Sequence, residues 1–310
     1  MKRCLIIDLM HESIIPMLSE VGYKVDYKPD ITREEILDSI SEYEGLILRS
    51  KTKIDKELLE RADHIKFIAR AGAGLDQIDE SSVSERNIVI INSPEGNRDA
   101  VGEHTLGMIL ALFNKMNFGD YEVRNGQWKR EANRGHELKN KTIGVLGYGN
   151  MGSAFAQRLQ GFECKVIAYD KYKKETQSTY AEIVSQEEFF GETDVLSIHI
   201  PLSEENDQLV NRDYINNFKK PIYVINTARG SVLDLSSLCD AIKGGRVLGA
   251  AFDVLENEKL DKLSTRQKED FEYLVEQNNT LFTPHVAGWS FESYVKINEV
   301  LCDKIRSLSI

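Results

Sequence analysis

Gly147-Tyr148-Gly149-Asn150-Met151-Gly152 is the stretch that decides the fold of this chain, because of what lies on either side of it. The apolar run 142–146 before it predicts a buried strand, and residues 153–159 after it favour a helix. A second apolar run, 165–169, ends at Asp170, 18 residues beyond Gly152. A strand, a glycine turn, a helix and a second strand that ends in an acid form the pattern of a dinucleotide site.

The three glycines of this turn have separate expected roles. Gly147 permits the tight turn, Gly149 lets the backbone approach a pyrophosphate, and Gly152 lets the helix pack closely on the strand. The N-terminus of the following helix favours an anion, since its N–H groups are free and its dipole is positive there.

Asp170 indicates which dinucleotide binds. We expect its carboxylate to accept hydrogen bonds from the ribose hydroxyls and to repel a 2′-phosphate, which favours NAD over NADP. Lys171, Lys173 and Lys174 follow closely and could weaken this preference, although a solvated basic run is the simpler interpretation.

Length and composition limit the classes of protein to consider. A chain of 310 residues with 41% hydrophobic residues predicts about two domains with real cores. The formal net charge of −11 argues against nucleic acid and anionic membranes as partners, and no apolar stretch approaches the ~20 residues of a membrane span. The scattered cysteines have no metal-binding spacing, so we expect no metal, reduced thiols and a cytoplasmic location. They are Cys4, Cys164, Cys239 and Cys302.

A domain-sized segment precedes the glycine turn. Its apolar runs alternate with helical patterns, and Thr32 and Glu35 fit a capping box at the start of one of these helices. Alternating strands and helices predict a doubly wound parallel sheet of the flavodoxin-like kind. The strand candidates are 4–7, 24–27, 45–48, 65–69 and 88–91.

The pattern changes after Asn92-Ser93-Pro94. A long helix is expected from Asp99 to Met116, followed by an irregular arm over 118–140. His104 lies inside that helix, where a buried, hydrogen-bonded histidine is a simpler interpretation than a functional one. Trp128 in the arm is a candidate for subunit contact, or it could cover the domain surface.

From residue 142 the alternation resumes, and it predicts the six strands of a full dinucleotide-binding sheet. An amphipathic helix from Ser290 to Leu308 ends the chain. The strand candidates are 142–146, 165–169, 194–198, 222–225, 249–252 and 280–282.

Three residues that can carry chemistry follow neighbouring strands of this second sheet. Ligands bind at the carboxyl ends of parallel strands, and Arg229, Glu258 and His285 each come after such an end. Arg229 would hold a substrate carboxylate and polarise the C2 oxygen. His285 would take the hydroxyl proton, and Glu258 would orient the imidazole and raise its pKa. Each of them taken alone could equally be an ordinary surface residue.

Motifs along nearly the whole chain resemble those of the D-isomer-specific 2-hydroxyacid dehydrogenase family. Besides the glycine turn they are Arg70-Ala71-Gly72-Ala73-Gly74, Gly102-Glu103-His104-Thr105-Leu106-Gly107, His199-Ile200-Pro201-Leu202, Asn226-Thr227-Ala228-Arg229-Gly230, Phe252-Asp253-Val254 and Thr283-Pro284-His285.

The resemblance implies an NAD-dependent oxidoreductase with Arg229, Glu258 and His285 as the catalytic triad. It implies two doubly wound parallel-sheet domains with a cleft between them: a flavodoxin-like substrate domain, 1–95 with 287–310, and a Rossmann cofactor domain, 96–286. A homodimer through the cofactor domain and the 118–140 arm is expected. The implied cofactor contacts are Gly147, Gly149, Asn150, Met151, Gly152, Asp170, His199, Pro201, Thr227 and Asp253.

The chain departs from the family pattern at two places near the triad. Lys259 stands where a proline usually follows the catalytic glutamate, which leaves Glu256 as a competitor for the role of Glu258. Leu235 stands where an acid commonly follows Asp234.

The substrate is expected to be a small anionic 2-hydroxy or 2-keto acid. Arg49 and Arg70 follow first-domain strands, and two guanidiniums suit a phosphate. The amides of residues 71–74 could cradle a carboxylate. Ordinary salt bridges are the alternative for both arginines. The expected substrate contacts are Arg49, Ser50, Arg70, Ala71, Gly72 and Ala73.

Three functions remain open from the sequence. The first is oxidation of 3-phospho-D-glycerate, the entry to serine synthesis, and the second is reduction of glyoxylate or hydroxypyruvate. The third is an NAD(H)-sensing protein like the corepressors of this family, which can keep the triad. A formate dehydrogenase is disfavoured, since those members carry Gln where Glu258 stands.

Overall fold

The computed structural model describes residues 2–176 and 178–308, which divide into two compact units. The first domain contains the residues up to Arg98 and those from Trp289 onward. The second domain runs from Asp99 to Gly288. Among the described residues, no helix is both long enough and apolar enough to cross a membrane.

The first domain is a doubly wound α/β unit. Its strands form one parallel sheet in the order β2-β1-β3-β4-β5, the flavodoxin-like order that the alternating pattern predicted. Its elements are β1 Lys2–Ile6, α1 Ile14–Glu20, β2 Tyr23–Tyr27, α2 Arg33–Ser39, β3 Gly45–Leu48, α3 Lys56–Glu60, β4 Phe67–Arg70, α4 Glu80–Glu85, β5 Val89–Asn92 and α12 Phe291–Arg306.

Alternation along β1 shows why helices cover both faces of this sheet. Cys4 and Ile6 pack in one apolar cluster, with residues of α1 and α12. Leu5 and Ile7 pack in another, with residues of α2, α3 and α4. Because successive side chains point to opposite faces, a strand buried on both sides needs a continuous apolar run. The predicted capping box of Thr32 and Glu35 is present at the start of α2 and is confirmed.

Helix α5 spans Pro94–Phe113, so the predicted bounds of Asp99 and Met116 are wrong at both ends. Proline is well suited to the first position of a helix, where its missing N–H costs nothing. The helix ends before Lys115, whose backbone is left-handed with φ 51°. A new helix, α6, runs from Met116 to Arg124, so the first part of the predicted irregular arm is helical.

The second domain is built on a larger parallel sheet in the order β12-β11-β10-β9-β6-β7-β8. The described residues thus give it seven strands where six were predicted, because the two-residue strand β8 adds to the edge of β7. Its elements after α6 are β6 Thr142–Leu146, α7 Asn150–Arg158, β7 Lys165–Tyr169, β8 Glu182–Ile183, α8 Gln186–Glu192, β9 Val195–Ile198, α9 Arg212–Asn217, β10 Ile222–Asn226, α10 Leu235–Lys243, β11 Val247–Phe252, α11 Thr265–Val275 and β12 Thr280–Phe282. The two parallel sheets confirm the predicted fold class.

Candidate active site

The predicted catalytic residues follow three adjacent strands that end in register. The paired residues at the carboxyl ends of β10, β11 and β12 are Asn226, Phe252 and Phe282. Arg229 and His285 each come three residues after this line, and Glu258 comes six residues after it. The three side chains are therefore carried by segments that leave one edge of the second-domain sheet.

His285 and Glu258 form a direct pair. Nδ1 of His285 lies 2.7 Å from Oε1 of Glu258, and each side chain is 48% exposed. Glu256 points elsewhere, since its Oε1 accepts a hydrogen bond of 3.1 Å from the amide of Leu235 in the first turn of α10. A carboxylate at Nδ1 selects the tautomer that leaves Nε2 available to exchange a proton. Of the two competing glutamates, the structure places Glu258 against the imidazole.

The backbone of His285 is strained. Its φ is 55°, in the left-handed region that non-glycine residues rarely adopt, at a cost of ~1–3 kcal/mol. The amide of His285 donates to the carbonyl oxygens of Asp253 (2.8 Å) and Thr283 (3.0 Å). The neighbouring backbone thus holds this conformation in place.

Asp253 anchors the loop that carries His285. Its side chain is almost fully buried. Oδ1 accepts hydrogen bonds from the hydroxyl of Thr283 (2.6 Å) and the amide of Val286 (2.9 Å). Oδ2 accepts one from the amide of Ala287 (2.8 Å). The sequence motif implied a cofactor contact for Asp253, and the structure shows that both of its oxygens also hold this loop.

His104 extends this network. Its Nε2 lies 3.0 Å from Oγ1 of Thr283 and 3.6 Å from Oδ1 of Asp253. Because the single hydroxyl proton of Thr283 goes to Asp253, Oγ1 can only accept from His104, so Nε2 of His104 carries a proton. The sequence missed this connection, since the two partners are 179 positions apart.

Arg229 stands in a tightly built turn after β10. The buried side chain of Asn226 accepts from the amide of Ala228 and donates to the carbonyl oxygen of Arg229, both at 3.0 Å. Nη1 of Arg229 donates to the carbonyl oxygen of Ala228 at 2.7 Å. A Cβ on Gly230 would lie 1.9 Å from the backbone of Leu255, so this position requires glycine. The turn fixes where the half-buried guanidinium begins.

The glycine turn after β6 has the geometry that a pyrophosphate needs. Gly147 has φ 90°, and a Cβ there would lie 2.7 Å from Ile200. A Cβ on Gly152 would lie 2.1 Å from the carbonyl oxygen of Gly147. Among the described residues, no heavy atom lies within 4 Å of where a Cβ on Gly149 would be. The first and third glycines are enclosed and the second faces open space before α7, which begins at Asn150 and Met151, so the turn fits NAD.

Asp170 is held at the end of β7 by backbone amides. Oδ2 accepts from Tyr148 (2.8 Å), and Oδ1 accepts from Tyr172 (2.9 Å) and Lys173 (3.1 Å). The Nζ of Lys173 donates to the carbonyl oxygen of Tyr148 at 2.8 Å. The carboxylate therefore has a fixed place beside the glycine turn.

Three other predicted cofactor contacts differ in exposure. The imidazole of His199 is enclosed against Phe155, with Nε2 2.8 Å from Oγ of Ser197, and burial lowers the pKa of His199 to about 3. The hydroxyl of Thr227 is buried 3.1 Å from that of Thr105. Pro201 is exposed. The side chain of His199 thus packs as a neutral ring inside the domain.

In the first domain, Arg49 lies on an aromatic surface. Its guanidinium carbon is 3.9 Å from the centre of the Trp289 ring, and burial lowers the pKa of Arg49. Oδ2 of Asp8 accepts hydrogen bonds from the amides of Arg49 (2.6 Å), Ser50 (3.1 Å) and Lys51 (3.2 Å). An internal carboxylate therefore occupies the amides of this loop.

The prediction of a four-amide cradle over 71–74 is wrong. The amide of Ala71 donates to the carbonyl oxygen of Leu48 (2.8 Å), and that of Gly72 donates to Oγ of Ser93 (2.9 Å). The carbonyl oxygen of Ala73 accepts from Asn92 (2.8 Å). A Cβ on Gly72 would lie 1.8 Å from Nη1 of Arg70, so the Arg70 side chain covers its own loop. Within 2–176 and 178–308, no cluster of three or more His, Cys, Asp or Glu residues could hold a metal ion.

Comparison with known proteins gives consistent matches. Residues 106–287 match the family model described as D-isomer specific 2-hydroxyacid dehydrogenase, NAD binding domain. A D-3-phosphoglycerate dehydrogenase of Archaeoglobus fulgidus is 31% identical over 99% of this chain, which spans 57% of that relative's length. A glyoxylate reductase of Thermofilum pendens is 35% identical, with 89% of this chain and 80% of the relative covered.

A solved structure of similar shape is the D-lactate dehydrogenase of Aquifex aeolicus, complexed with NAD and lactic acid. It superposes with a TM-score of 0.81 at 25% identity and covers 99% of this chain and 95% of its own. These matches confirm the resemblance drawn from the sequence motifs and the prediction of an NAD-binding domain.

Proposed function

Since the chain belongs to the D-isomer-specific 2-hydroxyacid dehydrogenase family, we propose that it catalyses the NAD-dependent oxidation of 3-phospho-D-glycerate to 3-phosphohydroxypyruvate. The observation that carries the dehydrogenase proposal is the 2.7 Å pair of His285 and Glu258, on the sheet edge that also carries Arg229. In this proposal the reaction supplies serine synthesis, and the protein is a cytoplasmic homodimer.

The chain's own residues divide the work of this reaction. Arg229 binds the substrate carboxylate and polarises the C2 oxygen. Nε2 of His285 takes the proton of the C2 hydroxyl, while Glu258 orients the ring and compensates the charge of the imidazolium. NAD, when bound at the glycine turn, accepts the hydride that leaves C2.

Arg49 supports a phosphorylated substrate. One face of its guanidinium rests on Trp289, while its donors lie in the plane of the group, where they suit a bidentate oxyanion such as phosphate. Resting on an aromatic ring restricts the side chain before the ligand binds, which lowers the entropy cost of binding.

The second candidate is reduction of glyoxylate or hydroxypyruvate. It is favoured by the glyoxylate reductase relative, which has a higher identity than the phosphoglycerate dehydrogenase relative and is covered over more of its own length. These substrates have no phosphate, so Arg49 would bind a carboxylate or act only in folding.

For the proposed homodimer, the exposed aromatic side chains Tyr121 and Trp128 support the cofactor domain and the 118–140 arm as the contact surface. They are 66% and 83% exposed, more than is usual for rings without a partner surface.

Initial rates on a substrate panel test the assignment. The panel contains 3-phospho-D-glycerate, D-glycerate, glyoxylate and hydroxypyruvate, measured for the wild type and for Arg49→Gln. Loss of a charge-assisted contact should lower kcat/KM by roughly 10- to 150-fold for the phosphorylated substrate and little for D-glycerate.

Arg61→Gln is the matched control, since it removes the same charge from an exposed site in the same domain. Equal losses on both substrates for Arg49→Gln would transfer the assignment to the glyoxylate and hydroxypyruvate alternative. No turnover of any panel member by the wild type would remove the dehydrogenase proposal itself.

A further inference from the structure

A polar bridge joins the segments that follow β7 and β9, the two strands on either side of β6. Glu205 lies in the segment after β9. Its Oε2 forms an ion pair with Nζ of Lys171, and its Oε1 accepts a hydrogen bond of 2.7 Å from the hydroxyl of Tyr172. Both partners directly follow Asp170, so a single carboxylate binds the two side chains next to the acid that selects the cofactor.

The bridge contributes little to stability. All three side chains are exposed, and exposed ion pairs are worth ~0–1 kcal/mol. Pairing raises the pKa of Lys171 and lowers that of Glu205, so both groups are charged near neutral pH. The effect of the bridge therefore lies in where these charges are kept.

The bridge determines which cations remain available beside Asp170. A 2′-phosphate distinguishes NADP from NAD, and a lysine or a hydroxyl next to the acid would be its natural partner. Lys173 already donates its Nζ to the carbonyl oxygen of Tyr148. Glu205 binds Lys171 and Tyr172, and it adds a negative charge of its own.

We propose that Glu205 is a specificity-determining residue for the cofactor, which strengthens the selection of NAD by keeping Lys171 and Tyr172 from binding a 2′-phosphate. The proposal concerns the NAD-binding domain alone and is independent of the substrate assignment. Asp170 repels the phosphate, and Glu205 removes the groups that would compensate for that repulsion.

Equilibrium binding of NADH and NADPH tests the proposal without any substrate. The dissociation constants are measured from nicotinamide fluorescence for the wild type, Glu205→Gln and Glu204→Gln. Glu204 is the matched control, because it is the exposed neighbour with the same charge. Glu205→Gln should tighten NADPH binding about tenfold relative to NADH, the gain of one exposed charge-assisted contact. Glu204→Gln should leave the ratio unchanged.

A double variant identifies the group that is released. Adding Lys171→Met to Glu205→Gln should abolish most of the gain in NADPH affinity. An unchanged ratio in Glu205→Gln would overturn the proposal. Equal changes in Glu204→Gln and Glu205→Gln would also overturn it, since they would show an effect of net charge. Thermal unfolding of each variant verifies that the domain is folded, so a failed substrate panel and a failed cofactor test remain distinguishable.

Discussion

Replacing Thr283 by valine tests whether the network behind His285 sets its position. Valine matches the shape of threonine but lacks the hydroxyl. The change removes the 2.6 Å hydrogen bond to the buried carboxylate of Asp253 and the acceptor for Nε2 of His104. Asp253 keeps the two amide donors of Val286 and Ala287, so the loop is weakened and not released.

The expected loss can be worked from these contacts. A hydrogen bond to a charged acceptor is worth about 1.5–3 kcal/mol, and a half-buried donor without a partner adds to that, so the cost is on the order of 3 kcal/mol. For a domain of this size, that corresponds to a fall in Tm of ~6–12 °C. The left-handed backbone of His285 also loses part of its support, so kcat should fall by about tenfold or more.

Thermal unfolding and steady-state kinetics together measure both effects. Thr283→Ser keeps the hydroxyl and serves as the control, so it should restore kcat and most of the stability. NADH affinity should change little, because the glycine turn is not altered. A valine variant with wild-type Tm and kcat would refute the reasoning that this network holds His285.

Three further predictions concern the pair, the glycine turn and a buried ring. Glu258→Gln should lower kcat and shift the pH–rate profile to lower pH, because the imidazolium loses its carboxylate, whereas Glu256→Gln should leave the profile in place; the reverse would exchange their roles. Gly149→Ala should keep the Tm and weaken NADH binding by tenfold or more, since its Cβ has space in the fold, whereas Gly152→Ala should lower the Tm because its Cβ would lie 2.1 Å from a carbonyl oxygen. The pKa of His199, lowered from 6.5 to about 3, means that below pH 6.5 only the unfolded chain gains this proton. Unfolding free energy should therefore fall by about 1.4 kcal/mol per pH unit there, a slope that His199→Asn removes in denaturant titrations at a series of pH values.

Local patterns in the sequence were sufficient for much of the fold. Apolar runs bounded by turn residues predicted the strands of both sheets, because a strand buried on two faces must be apolar throughout. The capping box at Thr32 was equally readable, since its two hydrogen bonds join residues three positions apart. The strand β8 escaped detection, as two residues are too few to show any periodicity.

Backbone conformation explains the errors around α5. Pro94 was taken as the end of a pattern, yet a proline also starts a helix well. The left-handed Lys115 divides what the apolar pattern presented as one continuous helix. Nothing in a lysine side chain indicates a positive φ, so the sequence could not place this break.

The candidate site shows the same limit at longer range. The order of motifs placed Arg229, Glu258 and His285 after neighbouring strands, and the structure adds the distance that separates Glu258 from Glu256 in their relation to the imidazole. The contact of His104 with Thr283 joins distant parts of the chain, so no local signal encodes it.

Turnover by His285→Ala, measured as NADH formation with 3-phospho-D-glycerate, tests the central claim most directly. If His285 takes the hydroxyl proton, the variant should lose roughly 10²–10⁴-fold in kcat. Its NADH dissociation constant should stay near that of the wild type, because the glycine turn and Asp170 are untouched. Near-normal turnover by the variant would contradict the account, since no other group has been assigned this proton.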